Sequence, residues 1–356
     1  MTGSRITFRE GRDAQPAALG RIVAHVRAQL GERPAALTAA ARPLFTGIGA
    51  SYAAAAVPVH ALRAARIPAQ RMRADEAADQ PGGVGADLLI GISQSGRSTE
   101  TLAAFEQVSG PARIAVVNVS DSPLAAAADL TVGLGDEADS FASTVGFTGT
   151  IVALDLIAAA AAGHSGAGWS EVGWSEVGWS AVGTLVEAAR AAAVPVAAVV
   201  AGRAAEAYAA DFVASGASRA AAEEGALLLR EVARLTAAAS PTRTYLHGEM
   251  ESAGRTLHVV FGDGREIELA RTLARAGHRS VLVTAEPVEP VGDLHVVALP
   301  RSAPGVRAVL ETVVAQELAA ALAEARDVPV ESFVFANDDT KQGGLDPADF
   351  TTASAS

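Results

Sequence analysis

Seven residues hold the densest chemistry in the chain: Ser93-Gln94-Ser95-Gly96-Arg97-Ser98-Thr99. Four hydroxyls, an amide and a glycine are gathered in one short turn. An apolar run, Ala86 to Ile92, leads into it, and a helix-like segment, Thr99 to Gln107, leaves it. A strand, a tight polar turn and then a helix is how a parallel α/β sheet presents a site at the carboxyl ends of its strands. The first N–H groups of such a helix lack internal partners, and its dipole favours an anion there, above all a phosphate. No lysine follows the glycine, so the turn is not a nucleotide-triphosphate P-loop. The pattern suggests a monophosphate held by hydroxyls and backbone. The competing reading is a serine-rich helix cap with no ligand.

The elements that would position this turn must come from a chain of 356 residues, enough for two domains of ordinary size. Half of the residues are hydrophobic and only 4% aromatic, so cores must be built from Val, Leu, Ile and Ala. The formal charge of -12 argues against nucleic acid, because no basic stripe exists to neutralise a phosphate backbone. One small phosphate could still be held by local donors. Without cysteine, disulfides and thiolate metal sites are excluded. The first residues show no charged-then-apolar signal pattern, and charge, Gly or Pro breaks the alanine-rich runs. The expectation is a soluble cytoplasmic protein with no membrane partner.

In chain order, Met1 to Asp13 reads as an extended arm, and Gln15-Pro16 as the start of a helix to about Leu30. Strands are expected at Pro43 to Thr46, Ala69 to Arg73, Ala86 to Ile92, Ala112 to Asn118 and Leu130 to Leu134, with a long helix from Ser143 to about Ala162. Strands alternating with helices predict a parallel sheet covered on both faces. His164 to Gly183 breaks the pattern with Gly-Trp-Ser-Glu-Val in tandem at Gly168 and Gly173, then Gly-Trp-Ser-Ala-Val at Gly178. A period of five fits neither helix nor strand, and this stretch reads as a surface linker rather than a tryptophan-bearing lid.

After the linker the chain begins again. Phe45-Thr46-Gly47-Ile48-Gly49-Ala50-Ser51 is echoed by Phe212-Val213-Ala214-Ser215-Gly216-Ala217-Ser218. The strand at Leu257 to Phe261 then leads to Gly262-Asp263-Gly264-Arg265-Glu266, where the first copy has its serines. Acidic groups repel phosphate, so the first copy is expected to hold the ligand. Val281 to Thr284 and Leu294 to Leu299 read as later strands, and Pro304 to Ala325 as a long helix. The polar tail begins at Asp327, and its end, Thr351 to Ser356, is expected to be disordered.

Six ordered motifs carry a resemblance: Gly49-Ala50-Ser51, the turn Ser93 to Ser98, Ala142-Ser143-Thr144, the helix Glu224 to Glu231, His247-Gly248 and Lys341. Together they resemble the double sugar-isomerase (SIS) domain family, and within it the isomerase half of glucosamine–fructose-6-phosphate aminotransferases. The glutaminase half has no counterpart here, and no cysteine could serve as its nucleophile. The resemblance implies an α/β fold of two tandem flavodoxin-like domains, each a parallel sheet flanked by helices. The expected boundaries are an arm and helix over 1–30, a first domain over 31–163, the linker over 164–183, a second domain over 184–336 and a catalytic tail over 337–356.

The same resemblance implies roles. Ser51, Ser93, Gln94, Ser95 and Ser98 would cradle phosphate, with Ala50, Phe141 and Glu224 as further substrate contacts. Glu231 would be the base that moves a proton between C1 and C2 of an open sugar. His247 would assist ring opening from a partner subunit, which implies a homodimer with a shared active site. Lys341 would form a Schiff base with the ketose carbonyl. Taken alone, Glu231 could equally be a helix-surface residue, His247 structural and Lys341 an ordinary tail lysine. The chain departs from the family pattern at Leu228 and Val145, where lysines are common, at Arg97, where the aminotransferase is acidic, and at Glu249, where proline is common. The expected function is therefore aldose–ketose isomerisation of a hexose or amino-sugar 6-phosphate, with or without deamination. It needs no metal or redox cofactor, because acid–base groups handle the enediol. The alternatives are removal of an amine from a fructosamine 6-phosphate and a sugar-phosphate sensor without turnover.

Overall fold

A computed structural model of the chain describes residues 5–31, 35–80, 85–163, 176–331, 333–335 and 337–344. They form two compact units, Met1–Ala181 with Glu331–Ser356, and Val182–Val330.

In the first unit the order is α1 (Phe8–Leu30), α2 (Ala35–Thr38), β1 (Pro43–Gly47), α3 (Ala50–Ala54), α4 (Ala56–Ala64), β2 (Gln70–Arg73), α5 (Ala74–Ala78), β3 (Leu88–Ile92), α6 (Thr99–Gln107), β4 (Ala112–Val117), α7 (Pro123–Ala126), β5 (Leu130–Gly133), α8 (Val145–Ala161) and α9 (Glu176–Ser180). All five strands are parallel, in the order β2-β1-β3-β4-β5. Every residue of β1 and β3 is buried, as expected for central strands covered on both faces. Gly91 in β3 has a packing reason: the Phe105 ring of α6 lies where a Cβ would project.

The segment read as an arm up to Asp13 is instead helical from Phe8. Thr7 starts that helix with a capping box. Its hydroxyl accepts from the Glu10 N–H at 3.1 Å, and the Glu10 carboxylate accepts from the Thr7 N–H at 2.8 Å. Pro16, taken as the start, lies inside the helix.

The tandem repeat falls mostly on 164–175, outside the described residues. Its third copy departs from a surface linker at one point. Trp179 is buried, and its indole N–H donates to the Asp155 carboxylate of α8 at 2.9 Å. A buried indole needs such an acceptor, and α8, buried from Val145 to Ala160, supplies it.

In the second unit the order is α10 (Val182–Ala204), β6 (Ala209–Ala214), α11 (Arg219–Glu231), β7 (Thr236–Pro241), α12 (Thr242–Leu246), β8 (Thr256–Phe261), α13 (Arg265–Arg275), β9 (Ser280–Thr284), β10 (Leu294–Ala298) and α14 (Pro304–Ala325). The parallel sheet runs β7-β6-β8-β9-β10, the topology of the first unit repeated. The sequence reading has no counterpart for β7, whose Thr-Ala-Ala-Ala-Ser-Pro has low strand propensity. It forms by pairing along β6 from Ala209↔Thr236 to Ala214↔Pro241. By length and composition α10 could cross a membrane, but it packs along α14 within its unit.

Candidate active site

In a parallel sheet of this strand order the crevice opens where the order reverses, outside the carboxyl ends of β1 and β3. Both loops of interest leave from there. After β1, Gly49 takes φ 55° and ψ -127°, which turns the chain into α3 with Ala50 and Ser51 in its first turn. A Cβ on Gly47 would lie 2.9 Å from the Ser51 Cβ and 3.0 Å from the Ile92 carbonyl, so the two loops touch at their roots.

After β3 the chain folds through Gly96, at φ 63°, with the Gly96 N–H donating to the Ser93 carbonyl at 3.0 Å. The positive φ requires glycine, and Ser122 occupies the space a side chain would need. Ser93 is buried and its hydroxyl donates to the Ser98 hydroxyl at 3.2 Å. The Arg97 N–H donates to the Ser95 hydroxyl at 3.3 Å. Ser98 occupies the N-cap of α6 but makes no side-chain cap bond to it. A serine-rich cap would have used that oxygen on the helix. Here it faces Ser93 instead, beside a helix terminus whose dipole favours an anion.

The third wall is the start of α8. Gln94 reaches it: a Cβ on Gly146 would fall 3.1 Å from the Gln94 Cγ. Buried Asp139 organises this wall. Its carboxylate accepts from the Ser143 hydroxyl at 2.6 Å, and from the Thr144 N–H and hydroxyl at 2.9 Å each. Burial raises the Asp139 pKa while these donors oppose the rise. Sequence reading picked out Ala142-Ser143-Thr144 but missed Asp139. The signal was an Asp four and five residues ahead of two hydroxyls at a helix start. Val145 and Leu228, which stand where family lysines were expected, are both buried.

The tail returns to this unit and lies across the serine turn. Glu331 accepts from the Phe8 N–H at 3.0 Å, and Phe333 packs edge-on against Phe141 with ring centroids 4.9 Å apart. Farther along, the Thr99 hydroxyl donates to the Asp339 carbonyl at 3.0 Å. Lys341 pairs with Ser98 in an antiparallel bridge. The Gln342 N–H donates to the Arg97 carbonyl at 2.8 Å. Lys341 is the single lysine among the 28 Lys and Arg residues of the chain, a signal present in the composition and overlooked there.

The second unit carries the other candidates. Glu231 ends α11 and is half-buried; burial pushes its carboxyl up to about 7, against the pull of the Arg234 charge. Glu224, two helical turns earlier, is buried. His247 closes α12 beyond β7 and is exposed. Glu231 precedes β7 and His247 follows it, with the strand's six residues between them in the chain. The acidic turn after β8 is occupied by its own neighbours. Glu266 accepts from the Ser215 hydroxyl at 2.8 Å and the Thr242 hydroxyl at 2.6 Å. Asp263 accepts from the Thr284 hydroxyl at 2.8 Å and the Ala285 N–H at 2.7 Å, and pairs with Arg307 at 3.2 Å.

Residues 36–160 match the family model "SIS domain". No curated protein matches the chain by sequence. Among solved structures, the C-terminal domain of glucosamine-fructose-6-phosphate aminotransferase from Francisella tularensis is similar at TM-score 0.80 and 19% identity, covering 92% of this chain and 98% of that one. Glucosamine-6-phosphate deaminase from Thermotoga maritima is similar at TM-score 0.69 and 20% identity, covering 92% and 97%. Tagatose-6-phosphate ketose/aldose isomerase from Escherichia coli is similar at TM-score 0.69 and 18% identity, covering 89% and 92%. Residues 36–160 thus match a SIS domain, and the two five-stranded parallel sheets of the chain share the fold of these structures.

Proposed function

We propose that this SIS-domain chain is an enzyme that binds a hexose or amino-sugar 6-phosphate and moves a proton between C1 and C2, with or without loss of ammonia. One observation carries the reading: the sole lysine of the chain is docked by β-pairing on the turn whose hydroxyls suit a phosphate. An arginine cannot replace a lysine as an amine nucleophile, because it does not deprotonate in proteins. The named activities of the three similar structures all concern hexose or amino-sugar 6-phosphates.

In this proposal Ser51, Ser93, Gln94, Ser95 and Ser98 hold the phosphate, and Ala50, Phe141 and Glu224 shape the surroundings of the sugar. His247 assists ring opening. The Glu231 carboxylate takes the proton from C2 of the open aldose, leaving an enediol or enolamine, and returns it to C1. A 2-amino aldose gives an imine at C2. Water, or the Lys341 amine followed by water, adds there and ammonia leaves, so the product is the ketose. A carboxyl with a pKa near 7 suits a group that must both take and give a proton near neutral pH.

The proposal includes a homodimer with a shared active site. In this proposal the Glu231 and His247 that serve one sugar come from two copies of the chain. Phosphorylated sugars are made and used inside cells, so we place the protein in the cytoplasm.

The test mixes the protein with glucosamine 6-phosphate, fructose 6-phosphate and fructosamine 6-phosphates, and measures ammonia, amine and sugar interconversion. Interconversion or ammonia release upholds the reading. Amine release from fructosamine phosphates alone would make the protein a deglycase. A raised melting temperature without any turnover would make it a sensor.

A further inference from the structure

We propose that Arg97 is a positioning residue: it fastens the Lys341 tail to the serine turn, so that the lysine is placed from the same loop that holds the phosphate. The Arg97 Nε donates to the Gln342 carbonyl and its Nη2 to the Gly344 carbonyl, both at 2.8 Å. The Arg97 carbonyl accepts from the Gln342 N–H at 2.8 Å. One residue of the turn therefore grips the tail by backbone and side chain at once, immediately beyond Lys341. The planar guanidinium presents its N–H groups in a fixed fork, which suits two carbonyls held two residues apart.

The tail is built to meet that fork. Gly343 and Gly344 have φ of 82° and 78°, and the Gly344 N–H closes a turn onto the Lys341 carbonyl at 2.9 Å. A Cβ on Gly343 would come 2.9 Å from the Arg97 Nη2, so a side chain there would strain the backbone and push the guanidinium aside. The Thr99 bond to the Asp339 carbonyl and the Ser98 bridge to Lys341 complete the zipper on the other side. A cationic side chain beside a phosphate turn invites the reading of a phosphate ligand, yet two of its nitrogens are directed to tail carbonyls. The clamp stands on these contacts; its catalytic consequence rests on the function proposed above.

A protease that cuts only after lysine has one site in this chain, Lys341–Gln342. Cleavage requires an extended segment, so the bridge and the Arg97 contacts must open first. The full-length protein, Arg97→Gln and Gly343→Val are treated with endoproteinase Lys-C under native conditions, with melting curves to establish that each is folded. We expect each variant to be cut at least about tenfold faster than the parent, from the loss of two or more hydrogen bonds. Gly343→Val opens the clamp from the tail side and serves if Arg97→Gln does not fold. With substrate, Arg97→Gln is expected to lower kcat about tenfold with KM changed less than about threefold. Parental resistance in the folded variants would overturn the clamp, and a raised KM at unchanged kcat would make Arg97 a substrate contact instead. Faster cleavage in a protein that turns over no sugar phosphate would uphold the clamp and refute the enzymatic reading.

Discussion

Ser98 and Lys341 face each other across an antiparallel bridge, although 242 positions separate them in the chain. The Ser98 hydroxyl meets Ser93 and leaves its own helix uncapped by a side chain. A tail residue thus pairs with the turn that follows the third strand of the first sheet. The roles proposed for phosphate and for amine rest on this pairing.

Replacing Ser95 and Ser98 by alanine separates a binding role from a structural one. Without ligand the double variant should lose about 1–3 kcal/mol, because the buried Ser93 hydroxyl and the Arg97 N–H lose their acceptors, and not because of a helix cap, which Ser98 does not supply. With fructose 6-phosphate at a hundred times its Kd the parent should gain about 2.7 kcal/mol and the variant none. Urea unfolding with and without ligand reads both effects.

The role proposed for Glu231 predicts an activity that depends on pH. Its folded pKa, about 7, lies above the ordinary 4.5, so the folded state holds its proton more tightly than the unfolded chain does. The associated stability is present below pH 4.5 and is lost as pH rises to 7. The base works only when ionised, so kcat/KM should climb through pH 7 from the acid side. Glu231→Gln should remove about 10²- to 10⁴-fold of the rate and lessen the fall in melting temperature between pH 5 and 8. An acid limb near pH 4.5 would assign the base elsewhere.

Much of the fold was legible because hydrophobic runs mark the central strands directly: β1 and β3 read as strands, and the repeated order followed from the echo of Phe45–Ser51 in Phe212–Ser218. The edge strand β7 was not legible, since its alanines carry no periodicity and only pairing with β6 makes them a strand. The turn after β3 was legible as a turn, because a glycine among hydroxyls follows an apolar run there. Arg97 read only as a departure from a family pattern. Its partners lie 245 and 247 residues away, and no local rule connects them. Trp179 is similar: the repeat suggested exposure, while a buried carboxylate 24 residues earlier decided its place.

If His247 and Glu231 of different copies serve one sugar, two inactive variants should rescue each other. Co-expressed Glu231→Gln and His247→Gln should recover about a quarter of the parental activity, because random pairing makes half of the dimers mixed and gives each one intact site. Each variant alone should remain inactive. Failure of the mixture to recover, with mixed dimers verified by mass, would contradict a shared site.

Gly91 tests the wall behind the turn. Gly91→Val would drive a branched side chain into the Phe105 ring and should cost about 1–3 kcal/mol of stability. Adding Phe105→Ala should restore part of that loss through non-additivity, which denaturant unfolding of the two single variants and the double variant measures.

The most direct measurement is reductive trapping. Borohydride added during incubation with fructose 6-phosphate fixes any Schiff base as a stable amine, and the chain offers one lysine side chain to accept it. Peptide mass spectrometry should place the hexose phosphate on Lys341, and the adduct should disappear in Ser95→Ala/Ser98→Ala while the parent is modified readily. An adduct found only on the N-terminal amine, or one on Lys341 that forms equally well without the two serines, would contradict a sugar phosphate seated on this turn.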